Sequence, residues 1–181
     1  IPSKALRHSV QQGIESRQFK TADYQSLLAD AANVIDEQVF VREGNYERNN
    51  VHTMHGRASF TGPNEIIVSM SGGGVEKYTA DSFILAPGSR PYHPPDVDFA
   101  HPRILDSDSV LKVQDNPRTL IIYGAGVVGC EYASIFRGLR IKVSLINARD
   151  RLLAFLDDEI VDALAYHLRE EGTLIHHNEE Y

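Results

Sequence analysis

Thr119-Leu120-Ile121-Ile122-Tyr123-Gly124-Ala125-Gly126-Val127-Val128-Gly129-Cys130-Glu131 is the stretch that decides the fold of this chain. It begins with an apolar run of strand length and continues into a G-x-G-x-x-G sequence, after which a helical pattern runs from Val127 to about Gly138. A second apolar strand, Ile141–Ile146, completes a βαβ unit. This context predicts a dinucleotide-binding turn, and a glycine-rich turn in an ordinary βαβ unit is the alternative.

Each of the three glycines has a physical task in such a turn. Gly124 allows the tight turn, Gly126 lets the backbone approach a pyrophosphate, and Gly129 lets the helix pack closely on the strand. The pyrophosphate would then lie on the free N–H groups at the positive end of the helix. The sequence therefore predicts that this part of the chain binds a dinucleotide.

Composition excludes several classes of function. The chain has 181 residues, which is enough for one domain or parts of two, and a net charge of −7. Because it is acidic and has no basic cluster, we expect no nucleic-acid partner. No apolar run approaches about 20 residues, so we expect no membrane span. The single cysteine, Cys130, excludes an intrachain disulfide framework and favours a reducing, cytoplasmic location.

Neither the cysteine nor the histidines indicate a catalytic or metal site. Cys130 lies inside the predicted nucleotide helix and is expected to be a small buried apolar residue. His52 and His55 are predicted to point to opposite faces of a strand, as are His176 and His177. We therefore predict no metal site.

Other patterns outline the remaining elements. Helices are predicted over 1–17, over 24–46 with an apolar stripe (Leu27, Leu28, Ala31, Val34, Ile35 and Val41), near Ser107 with Asp108 in the first turn, and over 157–171. Strands are predicted over 51–60, 65–70, 75–79, 81–86 and 173–177, with a proline-rich connector over 90–102. Parallel and antiparallel parts together indicate a mixed α/β fold.

Four stretches of the chain resemble one family, the two-dinucleotide flavoprotein oxidoreductases that include glutathione reductase, lipoamide dehydrogenase and mercuric reductase. The opening Ile1–Leu6 resembles the segment that follows the redox cysteine pair in that family. His55–Phe60 resembles the strand that meets the adenine of FAD, and Phe83–Pro91 the motif that closes the FAD site. The fourth stretch is the βαβ unit, with Glu131 at its expected place.

The resemblance implies an α/β chain made of two partial domains. Residues 1–117 would be a partial FAD-binding domain that lacks its first βαβ unit, and residues 118–181 the amino-terminal half of an NAD(P)-binding domain. Because such a dinucleotide fold normally has two halves, and because the chain begins with Ile1, we expect a fragment of a longer polypeptide. The fragment alone would then bind FAD weakly or not at all and be inactive.

More specific strings resemble those family members that pass hydride from NADPH to NAD⁺ through FAD. These strings are Gly88–Pro94, Asp106–Ser109, Arg149–Asp157 and His177–Tyr181. The implied cofactors are FAD, NAD and NADP, the implied partners are small dinucleotides, and the parent enzyme is expected to be a homo-oligomer.

The resemblance also implies site residues. The FAD site would include Ala58, Ala86 and Gly88. Lys4 and Glu131 would form an ion pair beside the flavin, where the lysine stabilises the anionic reduced ring. A solvated lysine and a surface glutamate are the alternative.

Further residues would contact the nicotinamide nucleotide. Val127 and Val128 would pack near the nicotinamide, for which ordinary helix packing is the alternative. Asn147 occupies the position at which an acidic residue normally binds the ribose and favours NAD, so it should exclude neither cofactor. Arg149 and Arg151 are within reach of a 2′-phosphate, unless they belong to a solvated loop.

Two other functions remain open. A flavin-dependent disulfide reductase of the same family would carry a cysteine pair immediately before Ile1. A dinucleotide-binding module without redox chemistry would show the same glycine sequence.

Overall fold

A computed structural model of the chain describes residues 24–113 and 117–181. The predicted helix over 1–17, and Lys4 with it, lie outside the described residues. The described helices are α1 (Tyr24–Arg48), a 3₁₀ helix (Ser109–Lys112), α2 (Val127–Gly138) and α3 (Asp158–Glu170). The strands are β1 (Gly56–Gly62), β2 (Glu65–Met70), β3 (Val75–Thr79), β4 (Thr119–Tyr123), β5 (Lys142–Asn147) and β6 (Leu174–His177).

The chain divides into two compact units. Residues 39–92 form one unit, and the described residues on either side of this segment form the other. This division follows packing and does not test a domain boundary at residue 117, which stays a prediction.

The larger unit contains a parallel sheet in the order β4–β5–β6. Alternate residues of β5 are buried, and Leu145 is fully inaccessible, because α2 packs against this sheet. The predicted βαβ unit is confirmed, with α2 running from Val127 to Gly138 as expected. The α/β fold class is confirmed as well, since a parallel and an antiparallel sheet are both present.

Buried aromatic residues close the core beside this sheet. The Tyr24 ring lies 5.3 Å from the Phe136 ring, and its hydroxyl donates to the Val110 carbonyl at 2.8 Å. The Tyr132 hydroxyl donates to the Ser107 carbonyl at 2.7 Å. Burial, with the nearby acidic groups, raises the pKa of Tyr132 to about 12. Each buried tyrosine therefore has a hydrogen-bonded hydroxyl, which fixes the position of its ring.

The antiparallel sheet of the smaller unit has the order β1–β2–β3. The predicted bounds of β2 and β3 are confirmed, but the prediction for β1 was wrong at its start. Pairing begins only at Gly56, which faces Met70, because β2 ends there. His52 and His55 therefore precede the strand, and the argument about opposite faces does not apply to them.

The prediction of a strand over 81–86 was also wrong. This segment has no strand partner among the described residues, and a strand exists only through pairing. Ile84 is 95% exposed and Leu85 is 74% exposed, so the apolar residues on which the strand prediction rested are not buried here. Phe83 makes one anchoring contact, with its ring edge-on to Phe60 at 5.0 Å.

Helix α1 agrees with the sequence in its bounds to within two residues. Ala31 is buried, and Leu28, Val34 and Ile35 pack against the core as the stripe predicts. Val41 was predicted wrongly, since it is 51% exposed. The apolar stripe thus meets the core only in the first part of the helix.

The proline-rich connector is anchored at Asp106. One carboxylate oxygen accepts from the N–H groups of Asp108 and Ser109, at 3.0 and 2.6 Å. The other oxygen lies 2.6 Å from Nε2 of His93, whose ring stacks on Phe99. Asp106, rather than the predicted Asp108, therefore organises the entry into the 3₁₀ helix.

Candidate functional site

The candidate site is the turn between β4 and α2. Gly124 has a φ of 104°, in the left-handed region that favours glycine, and its N–H donates to the Ile146 carbonyl at 2.9 Å. The Leu153 N–H donates to the Ala125 carbonyl at 3.2 Å from the other side. The turn is therefore held in place by backbone bonds from β5 and from the loop that follows it.

Gly129 is required by the close approach of α2 to this turn. A Cβ atom placed there would lie 1.9 Å from the Gly124 carbonyl oxygen, which is an impossible contact. Gly126 is different, since a Cβ there would meet no atom within 4 Å. Gly129 thus serves packing, whereas Gly126 faces open space in which a ligand could approach the backbone.

The amino terminus of α2 is open. Gly126 precedes the helix, and no side chain of the described residues caps it. Val127 and Val128, at the first turn, are about half exposed. The first N–H groups of a helix have no partner within the helix and carry a partial positive charge. This turn can therefore accept an anionic group such as a pyrophosphate.

Cys130 lies just inside this helix and is buried. Burial raises the pKa of its thiol to about 11. The thiolate is the reactive form, so this side chain is inert at neutral pH and acts as a small core residue, as predicted.

Asn147 ends β5 and is buried. Its Nδ2 donates to the carbonyl oxygens of Arg149 and Arg151, at 3.0 and 2.8 Å. Because both partners are acceptors, the amide nitrogen must face the loop, and an aspartate could not replace it. This structural task has no signature in the sequence, and it leaves Oδ1 as the group that could meet a ribose hydroxyl.

The two arginines that follow have different surroundings. Arg149 is exposed and makes no side-chain hydrogen bond or ion pair with any residue in the described ranges. Arg151 forms an ion pair with Asp158, in the first turn of α3, and donates from Nη2 to the Ala154 carbonyl at 3.1 Å. Sequence reasoning placed both near a 2′-phosphate but missed Asp158, because a pairing across seven residues leaves no pattern.

Glu131 is half-buried on α2. It forms no ion pair or hydrogen bond with residues 24–113 or 117–181, and its expected partner Lys4 lies outside them. The Lys4–Glu131 pair therefore stays a prediction.

The predicted FAD residues lie in the smaller unit. Ala58 is exposed on β1, opposite Val68 of β2. Ala86 and Gly88 are exposed in the segment after β3, and Gly88 has a φ of 75°. All three residues are accessible to a ligand, and their contact with FAD stays a prediction.

Within residues 24–113 and 117–181, every helix is too short or too polar to span a lipid bilayer. These residues also contain no group of three or more histidine, cysteine or acidic side chains that could hold a metal ion.

The sequence of this chain is similar to those of known oxidoreductases. The profile of the pyridine nucleotide-disulphide oxidoreductases matches residues 1–181. A soluble pyridine nucleotide transhydrogenase of Citrobacter koseri is 53% identical over the whole chain, and one of Erwinia tasmaniensis is 51% identical. In both cases the chain spans 41% of the length of the relative.

Solved structures share the fold. The HOCl-induced flavoprotein disulfide reductase RclA of Escherichia coli, as its Cu(II) complex, is 26% identical, with a TM-score of 0.78 over 99% of this chain and 39% of that one. LpdA of Mycobacterium tuberculosis is 19% identical, with a TM-score of 0.79 over 98% of this chain and 41% of that one. The second likeness concerns the fold alone.

Proposed function

The chain belongs to the pyridine nucleotide-disulphide oxidoreductase family, and from this we propose that it is part of an FAD-dependent enzyme that transfers hydride from NADPH to NAD⁺. The observation that carries the proposal is the uncapped amino-terminal turn of α2 beside the open position of Gly126. The choice of reaction is supported by the 53% identity to a relative named a soluble pyridine nucleotide transhydrogenase.

In this proposal the turn after β4 binds the pyrophosphate of either nicotinamide dinucleotide. Gly124 and Gly126 give the backbone access, while Gly129 keeps α2 close enough to direct its N–H groups to the phosphates. Val127 and Val128 would lie against the nicotinamide part of the ligand. Their half-exposed side chains support this role, since buried packing alone would hide them.

The adenosine end of the dinucleotide would meet the loop after β5. Asn147 would accept a hydrogen bond from the ribose through Oδ1, and Arg149 would pair with the 2′-phosphate of NADPH. Asn147 carries no charge, so a dinucleotide with either a hydroxyl or a phosphate can approach it.

FAD would be held by the domain we propose for residues 1–117, with 118–181 as half of the NAD(P)-binding domain. Ala58, Ala86 and Gly88, which are exposed residues, would contact FAD. The bound flavin supplies the redox chemistry, and the protein orients the nicotinamide and sets the local charge. Lys4 and Glu131 would provide that charge as an ion pair. We also propose a cytoplasmic homo-oligomer as the parent enzyme.

A flavin-dependent disulfide reductase is the second candidate. It is favoured by the likeness to the disulfide reductase RclA, which is 26% identical over 99% of this chain. The site described above suits both enzymes, because each binds a nicotinamide dinucleotide beside FAD.

The deciding experiment measures reduction of thionicotinamide-NAD⁺ by NADPH in the full-length protein that contains this chain. Rapid flavin-dependent transfer with no disulfide substrate present is expected. Replacement of Gly126 by Val should abolish transfer, because the side chain fills the space left for the phosphate. Gly72→Val is the matched control, since a Cβ there also meets open space but Gly72 lies in the β2–β3 turn, which is not part of the candidate site. Negligible transfer, with rapid reduction of a disulfide, would replace the first proposal by the second.

A further inference from the structure

Asp158 belongs to none of the motifs described above. Its carboxylate nevertheless forms an ion pair with Arg151, one of the two arginines in the loop after β5. We propose that Asp158 determines the balance between the two dinucleotides: it neutralises Arg151 and so lowers the affinity of the site for a 2′-phosphate. The inference rests on the proposed function, because it concerns the adenosine end of the same site.

The two arginines start from equally well-defined backbone. Asn147 donates to the carbonyls of both Arg149 and Arg151, and the Asn178 N–H donates to the Arg149 carbonyl at 3.2 Å. The loop therefore does not distinguish the two positions. What differs is the side-chain partner, since Arg151 is paired with Asp158 and Arg149 is not paired with any described residue.

The pair lies where the ribose of a dinucleotide is expected. The loop follows the carboxyl end of β5, which is the second strand of the βαβ unit, and this is the position that reads the ribose hydroxyl or phosphate in such folds. A 2′-phosphate carries about −1.5 to −2 charges at neutral pH and binds arginine strongly. It must therefore compete with the Asp158 carboxylate for the Arg151 guanidinium.

The competition is balanced rather than one-sided. The Arg151 and Asp158 side chains are 40% and 76% exposed, and exposed pairs of this kind shift equilibria by about fivefold at most. Asp158 can release its partner, because the first turn of α3 favours a negative charge. The remaining carboxylate then repels the phosphate. NAD⁺, which has a hydroxyl there, meets a neutral pair and is hardly affected.

Such a balance suits a site that binds the two dinucleotides in turn. With two free arginines the site would hold NADP⁺ tightly and release it slowly. With Arg151 neutralised, one arginine remains for the phosphate, and the affinities for NAD⁺ and NADP⁺ come closer together.

The test compares dissociation constants of NAD⁺, NADP⁺ and adenosine 2′,5′-bisphosphate, measured calorimetrically on the full-length protein at about 0.15 M salt. Asp158→Asn should bind NADP⁺ and the bisphosphate about five- to tenfold more tightly, from removal of both competition and repulsion. Binding of NAD⁺ should change less than about twofold. Asp158→Ser, which also removes the carboxylate and leaves the N-cap residue Asp157 in place, should behave in the same way.

Two controls make the result specific. Glu159→Gln removes the same charge from the same helical turn without touching Arg151, and it should leave the ratio of the two affinities unchanged. In an Arg151→Ala background, Asp158→Asn should lose most of its effect. Equal gains from the Asp158 and Glu159 variants, or none from either, would overturn the assignment. If the unaltered protein bound neither dinucleotide, the proposed function itself would be overturned.

Discussion

The two sheets of this chain differ in how they are stabilised. Leu145 of the parallel sheet is fully buried, and β5 has an alternating pattern because α2 covers it. In residues 39–92, which contain the antiparallel sheet, Val68 is the one buried side chain. Backbone pairing rather than a core holds that sheet in register. The candidate dinucleotide turn therefore follows a strand of a well-packed sheet, whereas the candidate FAD residues lie in a unit with almost no buried core.

The largest effect is expected from Gly129→Ala in the parallel unit. The new methyl would meet the Gly124 carbonyl oxygen, so α2 must move away from β4. We expect a loss of about 3 kcal/mol or more in the free energy of unfolding, together with loss of dinucleotide binding. Urea unfolding and NADH titration measure the two effects.

Gly126→Ala is the matched control for this prediction. Its φ of −77° suits alanine, and a Cβ there meets open space, so stability should stay within about 0.5 kcal/mol. Dinucleotide binding should nevertheless weaken. Equal destabilisation by the two substitutions would show that Gly129 is not a packing position.

Core truncations test the difference between the sheets directly. Leu145→Ala should cost about 3 kcal/mol, because it leaves a cavity under α2. Val68→Ala should cost about 1.5 kcal/mol, which is the transfer free energy of the two carbons that the substitution removes from a buried side chain. Denaturant unfolding of both variants gives the comparison, and an equal cost would mean that the antiparallel sheet has a tighter core than its exposure indicates.

Sequence reasoning succeeded where the physical cause is local. The glycine positions and the apolar period are both contained in the stretch from Thr119 to Gly138, and α2 has the predicted bounds. The segment 81–86 has an equally apolar pattern, but whether it is a strand depends on a partner elsewhere. A propensity pattern cannot supply that partner.

The candidate site shows the same limit. The glycines could be assigned individual tasks, since each task follows from backbone geometry. The structural role of Asn147 and the pairing of Arg151 with Asp158 could not be found, because each depends on how a loop folds back. The His93–Asp106 contact, across thirteen residues, belongs to the same group.

A smaller effect is expected from Asn147→Asp. The carboxylate cannot donate to the carbonyls of Arg149 and Arg151, and it would face them as a buried acceptor. We expect about 2 kcal/mol of destabilisation and weaker binding of NADP⁺ than of NAD⁺, because the new charge repels a phosphate. Thermal unfolding and paired titrations measure both. A stable variant with unchanged preference would mean that the loop does not depend on the amide.

The smallest expected effect is on the pH dependence of stability, to which two carboxylates, one in each unit, contribute differently. Hydrogen bonds from Ser109 and His93 lower the pKa of Asp106, and hydrogen bonds from Lys77 and Thr61 lower the pKa of Glu65. A lowered folded-state pKa means that the stabilisation is complete above the unfolded value of about 4 and is lost as the pH falls through the folded value. Both groups should therefore make the protein less stable in acid, but by different amounts.

Between pH 6 and pH 2, the free energy of unfolding should fall by about 1 kcal/mol less in Asp106→Asn than in the unaltered protein. The reason is that the Asp106 side chain is only 15% exposed and accepts hydrogen bonds from backbone N–H groups. Glu65→Gln should change the same pH profile hardly at all, since its Lys77 partner is 62% exposed and solvent weakens the pair. Thermal unfolding without denaturant, measured from pH 6 to pH 2 at low and at high salt, gives both profiles. Salt should erase the small Glu65 effect and leave that of Asp106, since ions screen an exposed pair but not hydrogen bonds within the fold. Profiles that respond to salt equally would mean that Asp106 is stabilised by exposed charge alone.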